Sequence, residues 1–347
     1  MSSTRFEAKL NDLSESGWNE VLNELLPSIH EVDRDAVKIW FAFNPLSLHR
    51  HLNAAEDIDK EVHAFVIKGT YGLADGIDTS HRFLYGHRYW ADVKCAVWAR
   101  ADAFDETGID LRAEAEKLAK SVAAGTKTEE SLVLGITLVA LMTLNQTGLD
   151  EFRAMSGEVA KPAGLLRKSP DKIIAERRKD KNQGILGFLR TIDKEFSVRW
   201  DETDSNAKFD VIYDEEIASA AARDQSRDWG NRDERCIEGV IPVECRSAAC
   251  GTCWVGVVGG ADKLSDVERL ERKQMKVFGY RQDDTAKPNI RLACQARAEG
   301  SVSIVLPPWN GVFGKKIYGV EEVRLEPATT AAAKLRETIA DAMSSDN

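Results

Sequence analysis

The chain has 347 residues, a length that allows two domains, each with its own hydrophobic core. With 43% hydrophobic and 30% charged residues, it has the composition of a soluble globular protein. The formal net charge of −10 argues against general nucleic-acid binding.

The N-terminal part carries helical patterns. Apolar residues repeat at the spacing of an amphipathic helix at Trp18, Val21, Leu22, Leu25, Leu26 and Ile29. Ser14 or Ser16 is the expected N-cap of this helix. A second helix is expected over 36–43, ending at Asn44-Pro45 because proline disfavours helical geometry in the residue before it. Glycines 69, 72 and 76 indicate turns in the segment that follows.

Helical spacing resumes from Ser80, where one face carries Leu84, His87, Ala91, Cys95 and Trp98. Two more helices are expected over 110–123 and 128–144, separated by Gly125. The helical patterns therefore predict that residues 1–150 form an all-α domain of unknown role. The apolar run 132–144 is too short to span a bilayer and predicts a buried helix. The first residues show no secretory or twin-arginine signal, so we expect a cytoplasmic protein, with peripheral membrane association left open.

All of the histidines lie in this helical part: His30, His49, His51, His63, His81 and His87. Their clustering raises the hypothesis of a haem or a second metal, the alternative being ordinary core and surface histidines. On one helix His87 and Cys95 would lie about 12 Å apart along the axis, too far to share an ion. His81 and His87 would lie on different flanks. Cys95 itself is expected to be a small buried side chain.

The sequence predicts that residues 151–193 form a connector. Prolines and Gly164 interrupt any long periodicity, and a basic run contains Arg177, Arg178, Lys179 and Lys181. Such a run is typical of a solvated linker or helix face, and a docking site for an acidic partner or anionic lipid is the alternative. A short apolar patch, Ile185 to Leu189, follows.

From residue 194 the pattern changes to strands. Apolar residues alternate at Phe196, Val198 and Trp200, and again at Phe209, Val211 and Tyr213, which predicts an antiparallel hairpin with its turn at 204–206. Asp214 is the expected cap of a helix whose inward face carries Ile217, Ala220 and Ala221. A strand over 254–258, a helix opened by a Ser265–Glu268 capping box and a strand over 301–306 should complete this part. A weak helix with Leu335 and Met343 is expected in the tail.

Four of the six cysteines follow one spacing pattern. Cys245, Cys250 and Cys253 form C-x4-C-x2-C, and 40 residues separate Cys253 from Cys294. Three clustered thiols and one distant thiol match the plant-type 2Fe-2S arrangement. A zinc site would normally show two close pairs of ligands, whereas no histidine follows His87, so zinc or a redox dithiol is the lesser alternative. Cys236 lies outside the pattern and is interpreted as a spare thiol.

The run from Cys245 to Cys253, with Arg-Leu-Ala-Cys294-Gln, resembles the 2Fe-2S ferredoxin family over about 196–308. The resemblance implies a β-grasp fold and a 2Fe-2S cluster with Cys245 and Cys250 on one iron and Cys253 and Cys294 on the other. The gap before Cys294 is longer than in plant ferredoxins, and 226–238 resembles an insertion. We thus expect an α+β multidomain protein: all-α 1–150, connector 151–193, ferredoxin-like 194–310 and a helical tail over 311–347.

The expected function is one-electron transfer to or from a redox partner protein, without a catalytic residue and without nucleic acid. The alternative is an iron-sulfur subunit of a multi-subunit oxidoreductase, in which the N-terminal part docks a partner or binds a second cofactor such as haem. A self-contained reductase is disfavoured because no G-x-G-x-x-G nucleotide loop follows a predicted strand.

Overall fold

The structure is a computed structural model and describes residues 4–180, 194–280 and 285–320. The α-helices in these ranges are α1 (Arg5–Asn11), α2 (Glu15–Leu25), α3 (Glu31–Phe43), α4 (Leu46–Asn53), α5 (Ile58–Ala64), α6 (Trp90–Ala103), α7 (Leu111–Thr126), α8 (Glu130–Thr147), α9 (Leu149–Ala154), α10 (Pro170–Arg178), α11 (Ile217–Arg223), α12 (Trp229–Arg232), α13 (Arg269–Phe278) and α14 (Gly314–Tyr318). The β-strands are β1 (Lys68–Gly69), β2 (Glu195–Arg199), β3 (Lys208–Ile212), β4 (Glu215–Glu216), β5 (Trp254–Gly259), β6 (Ile290–Leu292), β7 (Arg297–Ala298), β8 (Val302–Val305) and β9 (Trp309–Asn310).

The N-terminal part is helical, as the sequence predicts. Helix α2 begins after Ser14, whose Oγ accepts a hydrogen bond from the Gly17 N–H at 3.1 Å. Helix α3 ends at Phe43, directly before Asn44-Pro45. The break between α7 and α8 lies at Lys127, which has a left-handed φ of 55°, so the expectation that Gly125 separates the two helices is wrong.

Helix α8 lies at the centre of the helical part. Its residues from Leu132 to Gln146 are all buried, and it packs against α3, α6 and α7. By length and apolar composition alone α8 could cross a membrane, but 78% of this stretch is buried inside the protein. The expected buried helix is confirmed, and it extends beyond the apolar run at both ends.

The segment from Ser80 does not form the expected helix. Residues 85–89 form a 3-10 turn and α6 begins only at Trp90. The cause is the buried carboxylate of Asp33, which accepts the backbone N–H groups of Tyr85 and Gly86 at 2.7 Å each. Since these amides bond to Asp33, they are not available for an α-helix through this segment.

The C-terminal part contains a five-stranded mixed sheet in the order β3-β2-β8-β5-β6. The expected hairpin is confirmed, because β2 pairs antiparallel with β3 in a register that sets Phe196 opposite Val211. Strand β8 runs parallel to β2 and antiparallel to β5. Helix α11 packs against β3.

Two expected helix caps in this part are wrong. Asp214 has a φ of 61° and lies two residues before Glu216, the actual N-cap of α11, so its carboxylate instead pairs with Arg297 at 3.0 Å. Ser265 does not cap α13, which begins after Glu268 without a side-chain cap. The Ser265 hydroxyl accepts the Arg297 backbone N–H at 3.1 Å. The expected tail helix with Leu335 and Met343 lies outside the described residues.

The helical part and the sheet share one hydrophobic core. Helix α3 packs on β5 so closely that a Cβ atom at Gly256 would lie 2.4 Å from the Ile39 side chain. Strand β1 of the helical part pairs with β9, and the Trp309 indole N–H donates to the Phe43 carbonyl at 3.0 Å. The sheet is therefore fixed against the helices.

The described part of the connector is folded. Arg177 in α10 is buried, donates from Nε and Nη2 to the buried Glu202 carboxylate at 2.9 and 2.7 Å, and also donates to the Val32 carbonyl. Arg177 thus does not belong to a solvated basic run, whereas Arg178 is exposed. Lys181 and the apolar patch after it lie outside the described residues.

Candidate metal centre

The sheet brings the distant cysteine to the clustered ones. Cys253 directly precedes β5, and one residue, Ala293, separates the end of β6 from Cys294. These strands pair with Trp254 opposite Leu292, and the Ala293 N–H donates to the Cys253 carbonyl at 2.9 Å. The register of two strands therefore places the two thiols at the same end of the sheet.

The loop 245–253 has an uncommon backbone conformation. Arg246, Ala248 and Gly251 have φ values of 53°, 59° and 67°, in the left-handed region. In this conformation the N–H groups of Ser247, Ala249 and Cys250 donate to the Cys245 sulfur at 3.4, 3.3 and 3.3 Å. Amide donors that converge on one sulfur stabilise a negatively charged thiolate.

The thiols influence each other in two pairs. The Cys250 side chain lowers the pKa of Cys245, and the Cys253 and Cys294 side chains shift each other's pKa in opposite directions. The Thr252 hydroxyl lies 3.1 Å from the Cys250 sulfur, and the Gln295 side-chain amide donates to the Cys294 sulfur at 3.5 Å.

Hydrogen bonds favour the thiolate at one cysteine of each pair. Burial raises the pKa of Cys245, but the Ser247 N–H and other donors around the sulfur outweigh it and lower the pKa to about 7. The hydrogen bond from Cys253 lowers the pKa of Cys294 to about 6, against the effect of burial. The same hydrogen bond, together with burial, raises the pKa of Cys253. Thiolates are the metal-binding form of cysteine.

The site has a buried side and an open side. Cys253 and Cys294 are buried, whereas Cys245 and Cys250 are half-buried. The guanidinium of Arg246, at the open side, pairs with Glu238 and donates to the Ser219 hydroxyl. The open side gives a short route between the thiols and solvent.

The two remaining cysteines lie apart from this site. The Cys236 thiol is buried and donates to the Val240 carbonyl at 3.1 Å, and burial raises its pKa to about 11. Cys95 is exposed, so the expectation that it is buried is wrong. The buried residues of α6 occupy the other face of the helix: Trp90, Val93, Lys94, Val97 and Ala101.

The histidines are dispersed except for one pair. His30 caps α3, His49 lies 2.9 Å from the Asn53 amide, and His51 lies 2.9 Å from the Glu61 carboxylate. The Nδ1 atoms of His81 and His87 lie 3.0 Å apart in the interior. The expectation that these two lie on different flanks of a helix is wrong because no helix runs through this segment.

Both rings of this pair are fully hydrogen-bonded. Nε2 of His81 donates to the Ile77 carbonyl at 3.1 Å, and Nε2 of His87 accepts the Ala160 N–H at 3.0 Å. One proton between the Nδ1 atoms then leaves each ring neutral. Across the described residues no group of three or more His, Cys, Asp or Glu side chains is arranged to hold a metal ion. This finding does not argue against a 2Fe-2S cluster, because such a cluster takes only two cysteines on each iron.

Sequence reasoning missed the ion pair that supports Cys294. Arg291 in β6 donates from Nε and Nη2 to the Glu271 carboxylate at 2.9 Å each, and Glu271 also accepts the Leu292 N–H at 2.8 Å. Both side chains are fully buried. The available signal was a charged residue within a short apolar strand, three positions before a cysteine.

A family model described as the 2Fe-2S iron-sulfur cluster binding domain matches residues 232–299. The match contains all four cysteines of the spacing pattern, and the N-terminal region has no family match. Searches of curated proteins and of solved structures found no match. Residues 232–299 are thus a 2Fe-2S cluster binding domain, and the expected cofactor is confirmed. The four thiols and the amide donors around Cys245 fit this group.

Proposed function

We propose that this protein is a one-electron carrier in which Cys245 and Cys250 bind one iron and Cys253 and Cys294 bind the other. The observation that supports this assignment is the convergence of three amide N–H groups on the Cys245 sulfur, at the end of the sheet where the β5–β6 register also places Cys253 and Cys294. A bound 2Fe-2S cluster supplies reversible uptake of one electron. The protein then passes electrons to or from a redox enzyme and catalyses no reaction of its own.

The chain's own residues hold and tune the site. The N–H donors to Cys245 stabilise negative charge on its sulfur, and buried packing around Cys253 and Cys294 excludes water. The open side at Cys245 and Cys250 faces the solvent, where a redox partner would dock. The strand order, with parallel central strands β2 and β8, supports a β-grasp fold for about 194–310.

The ligand assignment is tested by replacing one cysteine at a time. We expect Cys245→Ser, Cys250→Ser, Cys253→Ser and Cys294→Ser each to lower iron and inorganic sulfide content or change the reduced protein's electron paramagnetic resonance spectrum. Cys236→Ser and Cys95→Ser are the matched controls and should retain full iron and the wild-type signal. Unchanged iron, sulfide and signal in a variant of the first group would exclude that cysteine as a ligand.

A second candidate function is that of an electron-transfer subunit within a multi-subunit oxidoreductase. The observation that favours it is the shared core, since the helical part is fixed to the cluster domain and adds surface that a minimal carrier does not need. Purification of the native protein tests this. A stable complex with oxidoreductase activity supports the subunit role, and a lone monomer supports the carrier. An optical spectrum with a Soret band would reveal a haem on the helical part.

A further inference from the structure

A large cavity lies between the helical part and the sheet, away from the cysteine loop. It encloses about 680 Å³, and its walls come from residues 70–88 and 160–166 on one side and from 200–203, Val258 and 304–306 on the other. None of the four cysteines of the 2Fe-2S pattern lines it. Ligand pockets have volumes of about 300–1,000 Å³ and occur preferentially where two parts of a fold meet.

The cavity wall is rich in aromatic side chains. Tyr71, Phe83, Trp200 and Trp309 contribute to it, and Trp200 and Trp309 are themselves buried. Aromatic faces favour a flat, apolar ligand body, which gains both buried area and ring stacking.

The charged groups of the wall have a positive balance although the whole chain is acidic. Four cations line the cavity: Arg82, Arg88, Lys161 and Arg232. No ion pair joins any of the four to a carboxylate of the described residues within 4.0 Å. Of the lining acids, Glu202 is neutralised by Arg177, which leaves Asp75 and Asp201.

Two of these cations are held in place by aromatic rings. The Arg232 guanidinium carbon lies 4.0 Å from the Trp200 ring centroid, and that of Arg88 lies 3.4 Å from the Tyr85 ring centroid. Arg88 also donates to the Tyr85 and Leu166 carbonyls. The side chain of Arg82 makes no hydrogen bond within the described residues. A positioned guanidinium is suited to bind a carboxylate or phosphate through two parallel hydrogen bonds.

We propose that this cavity binds a small organic acid, with a planar apolar body against the aromatic wall and a carboxylate or phosphate at Arg82 and Arg232. The proposal does not depend on the ligands of the iron-sulfur cluster. A neutral molecule with the same body gains the apolar contacts but not the charge-assisted hydrogen bonds, so it should bind more weakly.

The test is isothermal titration calorimetry of the cluster-loaded full chain with three probes that share a naphthalene body: 2-naphthoate, 2-naphthyl phosphate and 2-naphthamide. We expect at least one anion to bind saturably at one site, at least about tenfold more tightly than the neutral amide. Which of the two anions binds more tightly then shows whether the cavity prefers a carboxylate or a phosphate.

Variants locate the site. The double variant Arg82→Gln/Arg232→Gln should weaken anion binding at least about tenfold and leave binding of the amide within about twofold. Arg269→Gln in α13 is a matched control, because Arg269 is exposed and does not line the cavity. Gly72→Trp should weaken all three probes, since Gly72 lines the cavity and a Cβ atom there meets no atom within 4 Å.

The proposal is overturned if neither anion binds saturably, or if the anions bind no more tightly than 2-naphthamide. It is also overturned if the double arginine variant retains wild-type affinity for the anions. Iron content and the electron paramagnetic resonance signal of each variant show that the chain is folded and loaded, so failure here is distinct from failure of the cluster assignment.

Discussion

At the scale of single residues, the hydroxyl of Thr252 is positioned to tune the cluster. It lies 3.1 Å from the Cys250 sulfur on a buried side chain. A hydroxyl that donates to a ligand sulfur stabilises the more negative, reduced state. We expect Thr252→Val to lower the reduction potential by on the order of 50 mV, measured by a redox titration of the electron paramagnetic resonance signal.

The conservative variant Thr252→Ser retains the hydroxyl and should keep the wild-type potential. Thr143→Val is the matched control, because the Thr143 hydroxyl donates to the Val139 carbonyl in α8, in the helical part. An unchanged potential in a fully loaded Thr252→Val protein would show that this hydroxyl does not donate to the sulfur.

Gly251 is required by the loop for two separate reasons. Its φ of 67° lies in the left-handed region, and an added Cβ atom would lie 2.3 Å from the Phe278 ring. Strain and overpacking together predict that Gly251→Ala loses about 3 kcal/mol of unfolding free energy and releases iron faster. Urea unfolding and the decay of cluster absorbance measure the two effects.

Gly108→Ala is the control for this change, since a Cβ atom at Gly108 meets nothing within 4 Å and no positive φ is found there. It should alter stability by less than about 1 kcal/mol. Equal stability of Gly251→Ala and Gly108→Ala would contradict the role that we assign to the loop conformation.

At the scale of elements, the Arg291–Glu271 pair joins α13 to β6 and so supports the strand that leads to Cys294. Both side chains are fully buried, and removal of one partner leaves the other as an unpaired buried charge. We expect Glu271→Ala to lose about 3–5 kcal/mol of unfolding free energy in urea denaturation. The variant should also lose iron, because Cys294 follows the same strand.

Glu116→Ala is the control pair variant. The Arg112–Glu116 ion pair on α7 is 50% and 40% exposed, and exposed pairs contribute at most about 1 kcal/mol. If Glu271→Ala and Glu116→Ala lose similar unfolding free energy, the buried Arg291–Glu271 pair does not contribute the stability that we assign to it.

The elements that the sequence predicts correctly are those whose signal is local. The alternating residues of β2 and β3 and the periodic face of α2 are set by which side chains face the core, and the structure has these three elements where expected. The wrong predictions at Ser80, Asp214 and Ser265 share one physical cause. In each case a polar group bonds to a residue distant in sequence, and no local pattern records such a contact.

At the scale of the whole molecule, the sequence predicts the cluster much better than its surroundings. The spacing of Cys245, Cys250, Cys253 and Cys294 follows from the chemistry of the cofactor, so the cluster can be recognised from the sequence without a structure. The packing of α3 on β5 and the cavity between helices and sheet depend on contacts across more than 200 residues. The helical part and the sheet therefore share a core that no local sequence pattern records.

The shared interior makes the stability of the molecule depend on pH through His81 and His87. Burial lowers the pKa of both, that of His87 from its ordinary value of 6.5 to about 4. Below pH 6.5 His81 and His87 take up protons in the unfolded chain but stay neutral in the folded protein. The stability that depends on the neutral pair is therefore lost as the pH falls toward 4. Burial raises the pKa of Asp33 to about 6, and proton uptake by the folded protein there opposes the loss.

Comparison with a variant separates the two effects. Between pH 7 and pH 5 we expect His87→Gln to lose about 2 kcal/mol less unfolding free energy than the wild type. The variant lacks the proton that His87 binds in the unfolded chain but not in the folded protein, while Asp33 is unchanged. Urea denaturation at both pH values measures this difference. Asn11→Gln, which changes an exposed side chain without a titratable group, should follow the wild-type pH dependence. A His87→Gln protein with the wild-type slope would mean that His87 titrates normally in the folded state and that the neutral, hydrogen-bonded pair is not present in solution.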